Sequence, residues 1–371
     1  MKTVAPALLS AAVAASAHAQ SITNIGALSG DSSSWVGGIN ANGTVVVGTS
    51  SRADGWHTAF RWTRGGGLQG LYGTGIGSTS AVGVSADGGT IVGYIPNRAA
   101  RWSFSGGVQD LGVLPNLGHN YSYATAVSAD GNRVVGMSMD AGNQRATPFL
   151  WNAGSGQSTS LHIALNGSSS NETHEVTGMS ADGSVYVGYN STLGVAFRSA
   201  NGSTNLLTRP NGSPRFGGSF TTTQALGVSS NGSVVVGWSE VLPSSGEAWR
   251  WSADSQMVAL GHLTGETKSV AHSANWDGSL IVGKSGSRAF VWSQANGMVD
   301  LHGYLTGLGV DLTGWNLEIA RAISADGTAI AGWGTFNGQA TSFVVNGLAI
   351  PTPGVCVVLL ASGLLNRRRR G

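Results

Sequence analysis

The chain has 371 residues, of which 58 are Gly and only 10% are charged, against roughly 25% in an ordinary soluble domain. Of its 20 basic residues five lie at the two ends (Lys2 and the arginines 367–370), which leaves 15 basic against 18 acidic in the body and excludes a basic nucleic-acid-binding face. The one cysteine, Cys356, stands near the C-terminus, so the body has neither disulfides nor cysteine metal sites.

In chain order, residues 1–19 read as a secretory signal: Lys2, a short apolar stretch over 4–15, then the small-residue cleavage site Ala17-His18-Ala19 before Gln20. Residues 20–349 read as one repeat array. A small apolar run, Asn-Gly or Asp-Gly, and a β-branched run closed by Gly return seven times. The turn glycines are Gly43, Gly88, Gly131, Gly183, Gly232, Gly278 and Gly327. A second glycine follows each by five residues: Gly48, Gly93, Gly136, Gly188, Gly237, Gly283 and Gly332. The intervals of 45, 43, 52, 49, 46 and 49 residues are the length of a propeller blade.

In the second copy, strands are expected over 81–85, 90–94, 99–103 and 108–112, here named a to d from the start of the copy. Asn or Asp before each turn glycine predicts a two-residue hairpin with positive φ at both central positions. Two residues earlier stands Asn40, Ser85, Ser128, Ser180, Ser229, Asn275 or Ser324, short polar side chains that bond turn backbone. One Asp or Asn per turn falls short of the six to eight oxygens that calcium takes, so no metal or other cofactor is expected. In strand c, Ala59-Phe60-Arg61-Trp62 alternates, which places Phe60 and Trp62 on one face and Ala59 and Arg61 on the other. Trp62, Trp102, Trp151, Trp251 and Trp292 are the expected core between blades, each worth roughly 4–6 kcal/mol gross on burial.

The last copy ends after three strands near Phe343-Val344-Val345. Ile25-Gly26-Ala27-Leu28 matches Leu111-Gly112-Val113-Leu114 and Leu260-Gly261-His262-Leu263, which end the second and fifth copies. Residues 21–28 are therefore the missing strand d. The fold class is all-β, a seven-bladed β-propeller of four-stranded antiparallel blades closed by the N-terminal strand. From about residue 350 a separate segment begins with Pro351-Thr352-Pro353, continues in an apolar run over 354–365 and ends in the arginine cluster. Twelve apolar residues fall short of the roughly 20 that span a bilayer as a helix, so this is a sorting or weak anchoring segment.

Val84-Ser85-Ala86-Asp87-Gly88, Ile91-Val92-Gly93 and Ala59-Phe60-Arg61-Trp62 resemble the HAF repeat of bacterial extracellular proteins. The proline motif, apolar run and arginines resemble the PEP-CTERM sorting tail, with Pro-Thr-Pro where that family has Pro-Glu-Pro. These likenesses imply a secreted or cell-surface bacterial protein, an exosortase-type membrane enzyme as partner, and membrane contact only through the tail.

Strand parity sends the a–b and c–d turns to one rim and the irregular b–c and d–a connections to the other, where binding is expected. Candidate ligand residues there are Trp56, His57, His119, Tyr121, Tyr123, His174 and Glu175, with Asp140 and Arg145 among the irregular positions. No catalytic set of paired carboxylates, Ser/His/Asp or HExxH spacing is specific in the sequence. The expected role is a non-enzymatic surface or matrix interaction module for polysaccharide or another surface protein. The alternatives are a hydrolase or lyase for carbohydrate on the same scaffold, which requires His119, His174 and Glu175 to converge, and an adhesin-like solenoid.

Overall fold

Each copy of the repeat folds as one four-stranded antiparallel sheet, and seven such sheets make up the ring. The computed structural model describes residues 20–348 except 73–76, 105–106, 116, 141–145, 162, 164–172, 210, 214–221 and 242–244. The expected signal segment and sorting tail lie outside the described residues. Blade two consists of Ser80–Val84, Thr90–Ile95, Arg98–Ser103 and Gly107–Gly112, as the sequence pattern predicts to within a residue or two. Strand a lies at one side of every blade and strand d at the other. The solenoid alternative is thereby excluded.

The second glycine of each copy is needed for space. Every strand a carries a bulge, which presses a carbonyl of strand a against the glycine facing it in strand b. At Gly283 an added Cβ would overlap the Val270 carbonyl oxygen and sit 2.8 Å from the Phe290 ring. The strand c residue opposite fills the room so created: Phe60, Phe149, Phe197, Trp249, Phe290 and Phe343 face Gly48, Gly136, Gly188, Gly237, Gly283 and Gly332. All six aromatic side chains are buried.

The a–b turns differ from the sequence expectation. Only the glycine takes positive φ (Gly88, 78°), while Asp87 does not. The loop is longer than two residues, because Ser85 N–H donates to the Thr90 carbonyl and Gly88 N–H to that of Ser85. Ser85 Oγ donates to Asp87 Oδ1 at 2.5 Å and accepts from Thr90 N–H at 2.9 Å, while Asp87 Oδ1 accepts from Gly89 N–H at 2.9 Å. The Asp thus replaces a second positive-φ residue by fixing the turn through its side chain.

Successive turns are joined in a belt of backbone hydrogen bonds. Ala41, Ala86, Ala129, Ala181, Asn231, Trp276 and Asp326 donate in turn to the carbonyls of Ala86, Ala129, Ala181, Ser230, Trp276, Ala325 and Ala41. The last link returns to the first turn and closes the circle.

The side-chain bonds hold the carboxyls of Asp87 and Asp130 below their ordinary value and that of Asp182 at about 2, in each case through the serine hydroxyl first. A depressed folded pKa contributes stability that is present above the unfolded value of about 3.9 and lost as pH falls through the folded one. The melting temperature should therefore hold from neutrality to about pH 4 and decline between about pH 4 and 2, less steeply in Asp182→Asn. A profile with equal slope in wild type and variant would contradict this role for the turn carboxylates.

Neighbouring blades press apolar faces together. Val45, Val47 and Ala59 of blade one meet Ala81, Ile91 and Trp102 of blade two, while Phe60 and Trp62 turn the other way, to Ala331 and Val344 of blade seven. The expected alternation of strand c is thus observed. Trp62, Trp102, Trp151 and Trp292 are buried as expected, but Trp251 is only half-buried and Trp249 occupies the core of blade five. Trp249 takes the place opposite Gly237 that Phe60 has opposite Gly48, while Trp251, at the position of Trp62, packs partly buried against the same cluster. The strand c arginines lie over the next blade's tryptophan, Arg101 on Trp151 at 5.6 Å, Arg198 on Trp251 at 5.9 Å and Arg250 on Trp292 at 5.6 Å. Each such contact is worth about 0.5–2 kcal/mol.

The N-terminal strand Ser21–Asn24 completes blade seven by pairing antiparallel with Gln339–Asn346. It is shorter than the expected 21–28, because Leu28 already crosses to blade one and donates its N–H to Ser50 Oγ at 2.9 Å. Leu114 and Leu263 make the same bond to Ser138 and Ser285 of the following blades, which accounts for the matched tetrapeptides. One element was not foreseen in the sequence, the helix Leu301–Gly307, whose Leu301 and Leu305 are buried between blades six and seven.

Candidate functional site

The seven bulges surround a central channel of about 230 Å³, lined by strand a of every blade. The bulged residues are Gly37, Val82, Thr125, Thr177, Leu226, His272 and Arg321, each three positions before the polar residue of its a–b turn. Two residues earlier in strand a stand Trp35, Ser80, Tyr123, Glu175, Gln224, Val270 and Ile319. Their partners in strand b are Thr49, Tyr94, Met137, Tyr189, Trp238, Lys284 and Trp333. All fourteen positions lie toward the b–c and d–a rim; Ser80 and Met137 are buried there, and the other twelve form a collar at that mouth of the channel.

The collar is rich in aromatic and polar groups. Trp35 stacks on Trp333 across the seam between blades one and seven, with centroids 4.3 Å apart and planes at 9°, yet it remains 43% exposed. Tyr121 and Tyr123 tilt against each other at 6.1 Å. Tyr189 donates its hydroxyl to Glu175 Oε2 at 2.6 Å, and Trp238 Nε1 donates to Gln224 Oε1 at 3.2 Å. Burial pushes the Tyr123 hydroxyl up to about 12, helped by the adjacent Glu175 carboxylate, and burial followed by the Glu175 hydrogen bond pushes Tyr189 up as well. Both tyrosines therefore stay protonated at neutral pH and act as donors.

The described residues among those singled out in the sequence lie on this rim, but they do not form one group. Trp56 is 42% exposed in the b–c connection of blade one, and His57 beside it shares a 2.9 Å hydrogen bond with Ser51. His119 Nδ1 bonds Ser138 Oγ at 2.9 Å, and its burial lowers its affinity for a proton. His174 is buried, packs edge-on against Phe197 and meets the Asn190 amide at 3.3 Å. Of them, Tyr123 and Glu175 belong to the collar, and Tyr121 tilts against Tyr123 beside it. His119, His174 and Glu175 are bonded to Ser138, Asn190 and Tyr189 respectively. Arg145 lies outside the described residues. Among the described residues no group of three or more His, Cys, Asp or Glu is placed to hold a metal ion.

Sequence reasoning missed Trp35, Tyr94, Tyr189, Trp238, Trp333, His272 and Arg321. A signal was present: the residue after the second glycine varies while its neighbours repeat, as do the residues three before each turn's polar side chain.

A scan against protein-family models gives no match, and neither does a search of curated proteins. Solved structures do match. An oligogalacturonate lyase in complex with manganese superposes with a TM-score of 0.56 at 12% identity, over 83% of this chain and 87% of that one. The oligogalacturonate lyase of Vibrio parahaemolyticus gives 0.59 at 9% identity, over 88% and 93%. The β-propeller domain of the trilobed protease of Pyrococcus furiosus, described as having an open velcro topology, gives 0.52 at 7% identity, over 85% and 94%. At these identities the likeness shows the fold, a seven-bladed β-propeller.

Proposed function

We propose that this is an exported, non-enzymatic saccharide-binding module of the cell surface or extracellular matrix, and that it binds through the collar. The observation that carries the reading is the stacked Trp35–Trp333 pair, with Trp35 43% exposed, on a rim that also carries hydrogen-bonding side chains on blades four and five across the ring. Flat aromatic faces cover the apolar side of a sugar ring, and a few fixed polar groups engage its hydroxyls. The secretory layout of residues 1–19, the HAF-like repeat and the PEP-CTERM-like tail support export and an exosortase-type partner.

The test is retention of the protein on an array of bacterial and algal polysaccharides, with released sugar assayed in the same wells. Trp35→Ala combined with Trp333→Ala should weaken retention at least about tenfold, since buried or stacked tryptophans dominate binding energies. No retention, or retention indifferent to both substitutions, overturns the reading. The competing reading is a hydrolase or lyase on the same scaffold, with Glu175 as its acid or base. Sugar release that disappears in Glu175→Gln would establish it instead.

A further inference from the structure

Of the seven bulged residues that line the channel, five are uncharged and lack a ring nitrogen, and the other two, His272 and Arg321, stand on adjacent blades. Arg321 Nη1 donates to His272 Nδ1 at 3.0 Å. A neutral imidazole that accepts at Nδ1 carries its proton at Nε2, and burial first, then Arg321 and Lys284, keeps this ring neutral. Nε2–H is buried and has no hydrogen-bond partner among the described residues. The Arg321 guanidinium is solvent-accessible within the channel, and among the described residues it makes no ion pair. The guanidinium of Arg321, held in place by its bond to the neutral His272 ring whose Nε2–H is covered by protein, thus stands inside a cavity that holds several water volumes of about 30 Å³ each. Both residues lie two strand residues below the collar, about 6–7 Å at the usual rise.

We propose that Arg321, positioned by His272, binds a carboxylate inside the channel, and that the collar above it therefore selects acidic sugars, with the uronate group inserted into the ring. This rests on the saccharide reading of the collar and names its ligand class. A planar monoanion fits best, because a guanidinium edge presents parallel N–H groups to a carboxylate. A phosphate dianion brings two charges to a site with a single fixed cation.

Calorimetric titration of the full chain with D-glucuronate, D-glucose and inorganic phosphate tests the proposal. Glucuronate should bind at least about tenfold more tightly than glucose, as expected for hydrogen bonds to a charged group. Arg321→Gln should remove that preference, Arg321→Lys should keep part of it, and His272→Gln should weaken it, all with melting temperatures close to wild type. Equal affinity for the two sugars, or a preference that survives Arg321→Gln, overturns the proposal. So does phosphate binding as tightly as glucuronate, which would mark a bare anion site. If Arg321→Gln does not fold, the Arg321→Lys and His272→Gln pair decides the same question. Failure here with neutral-glycan retention intact sinks only the channel site, whereas loss of all glycan retention sinks the collar reading itself.

Discussion

Removal of residues 20–28 is expected to lower the melting temperature by about 10–20 °C, on the basis of about 5 kcal/mol lost and 2–4 °C per kcal/mol for a chain of this class. The estimate combines the ladder between Ser21–Asn24 and Gln339–Asn346, the buried Ile25, and three further hydrogen bonds to the ring, each hydrogen bond counted at about 1 kcal/mol. These are Leu28 N–H to Ser50 Oγ, Thr341 Oγ1 to Asn24 Oδ1, and Ile25 N–H to the Ser342 carbonyl. Deletion also uncovers the edge of strand Gln339–Asn346, which then invites pairing between molecules. Loss of a single cooperative transition, or aggregation on heating, would agree with this account. An unchanged melting temperature would show that the ring does not depend on closure by its N-terminal strand.

The second large effect is expected at Gly283→Ala, one methyl group in the middle of a strand. The new Cβ would meet the Val270 carbonyl oxygen and the Phe290 ring, and backbone atoms cannot give way as a flexible side chain can. Overpacking of this kind costs about 3 kcal/mol, so a drop of about 6–12 °C should appear in a thermal scan. The double variant Gly283→Ala with Phe290→Ala should recover only the ring contact, because the carbonyl clash remains. A single variant with wild-type stability would mean that strand a can flatten its bulge at little cost.

Much of the ring could be read in advance because the repeat states its physics many times over. The β-branched run, the turn glycine and the spacing agree with each other in every copy, and Ile25-Gly26-Ala27-Leu28 marked the closing strand by matching two other blade ends. The turn conformation was misassigned for a local reason. Asp87 in front of Gly88 looks like a two-residue hairpin, but its carboxylate is committed to Ser85 and Gly89, and the loop lengthens around that bond. Ala248-Trp249-Arg250-Trp251 offers two indoles at alternate positions, of which Trp249, opposite Gly237, is fully buried and Trp251 packs partly buried against the same cluster.

The site was less legible. Attention fell on irregular loop residues such as Trp56, His57 and His119, whereas the channel mouth is built from positions inside the repeat, where one residue changes and its neighbours do not. Gly332-Trp333 and Gly188-Tyr189 look like ordinary strand until the bulge in strand a brings Trp35 over Trp333 and Glu175 beside Tyr189. The contact between His272 and Arg321 spans 49 residues of sequence and depends on two blades being neighbours in the ring.

The collar as ligand site is tested most directly by a crystal structure of the protein soaked with the saccharide that the array retains. The account predicts saccharide bound at the collar with one sugar ring stacked on the outer face of Trp35, and further units of a longer chain reaching Glu175 or Gln224 on blades four and five across the ring. Sugar seated instead on the a–b turn belt or on the outer strands d, with the collar empty, would contradict it.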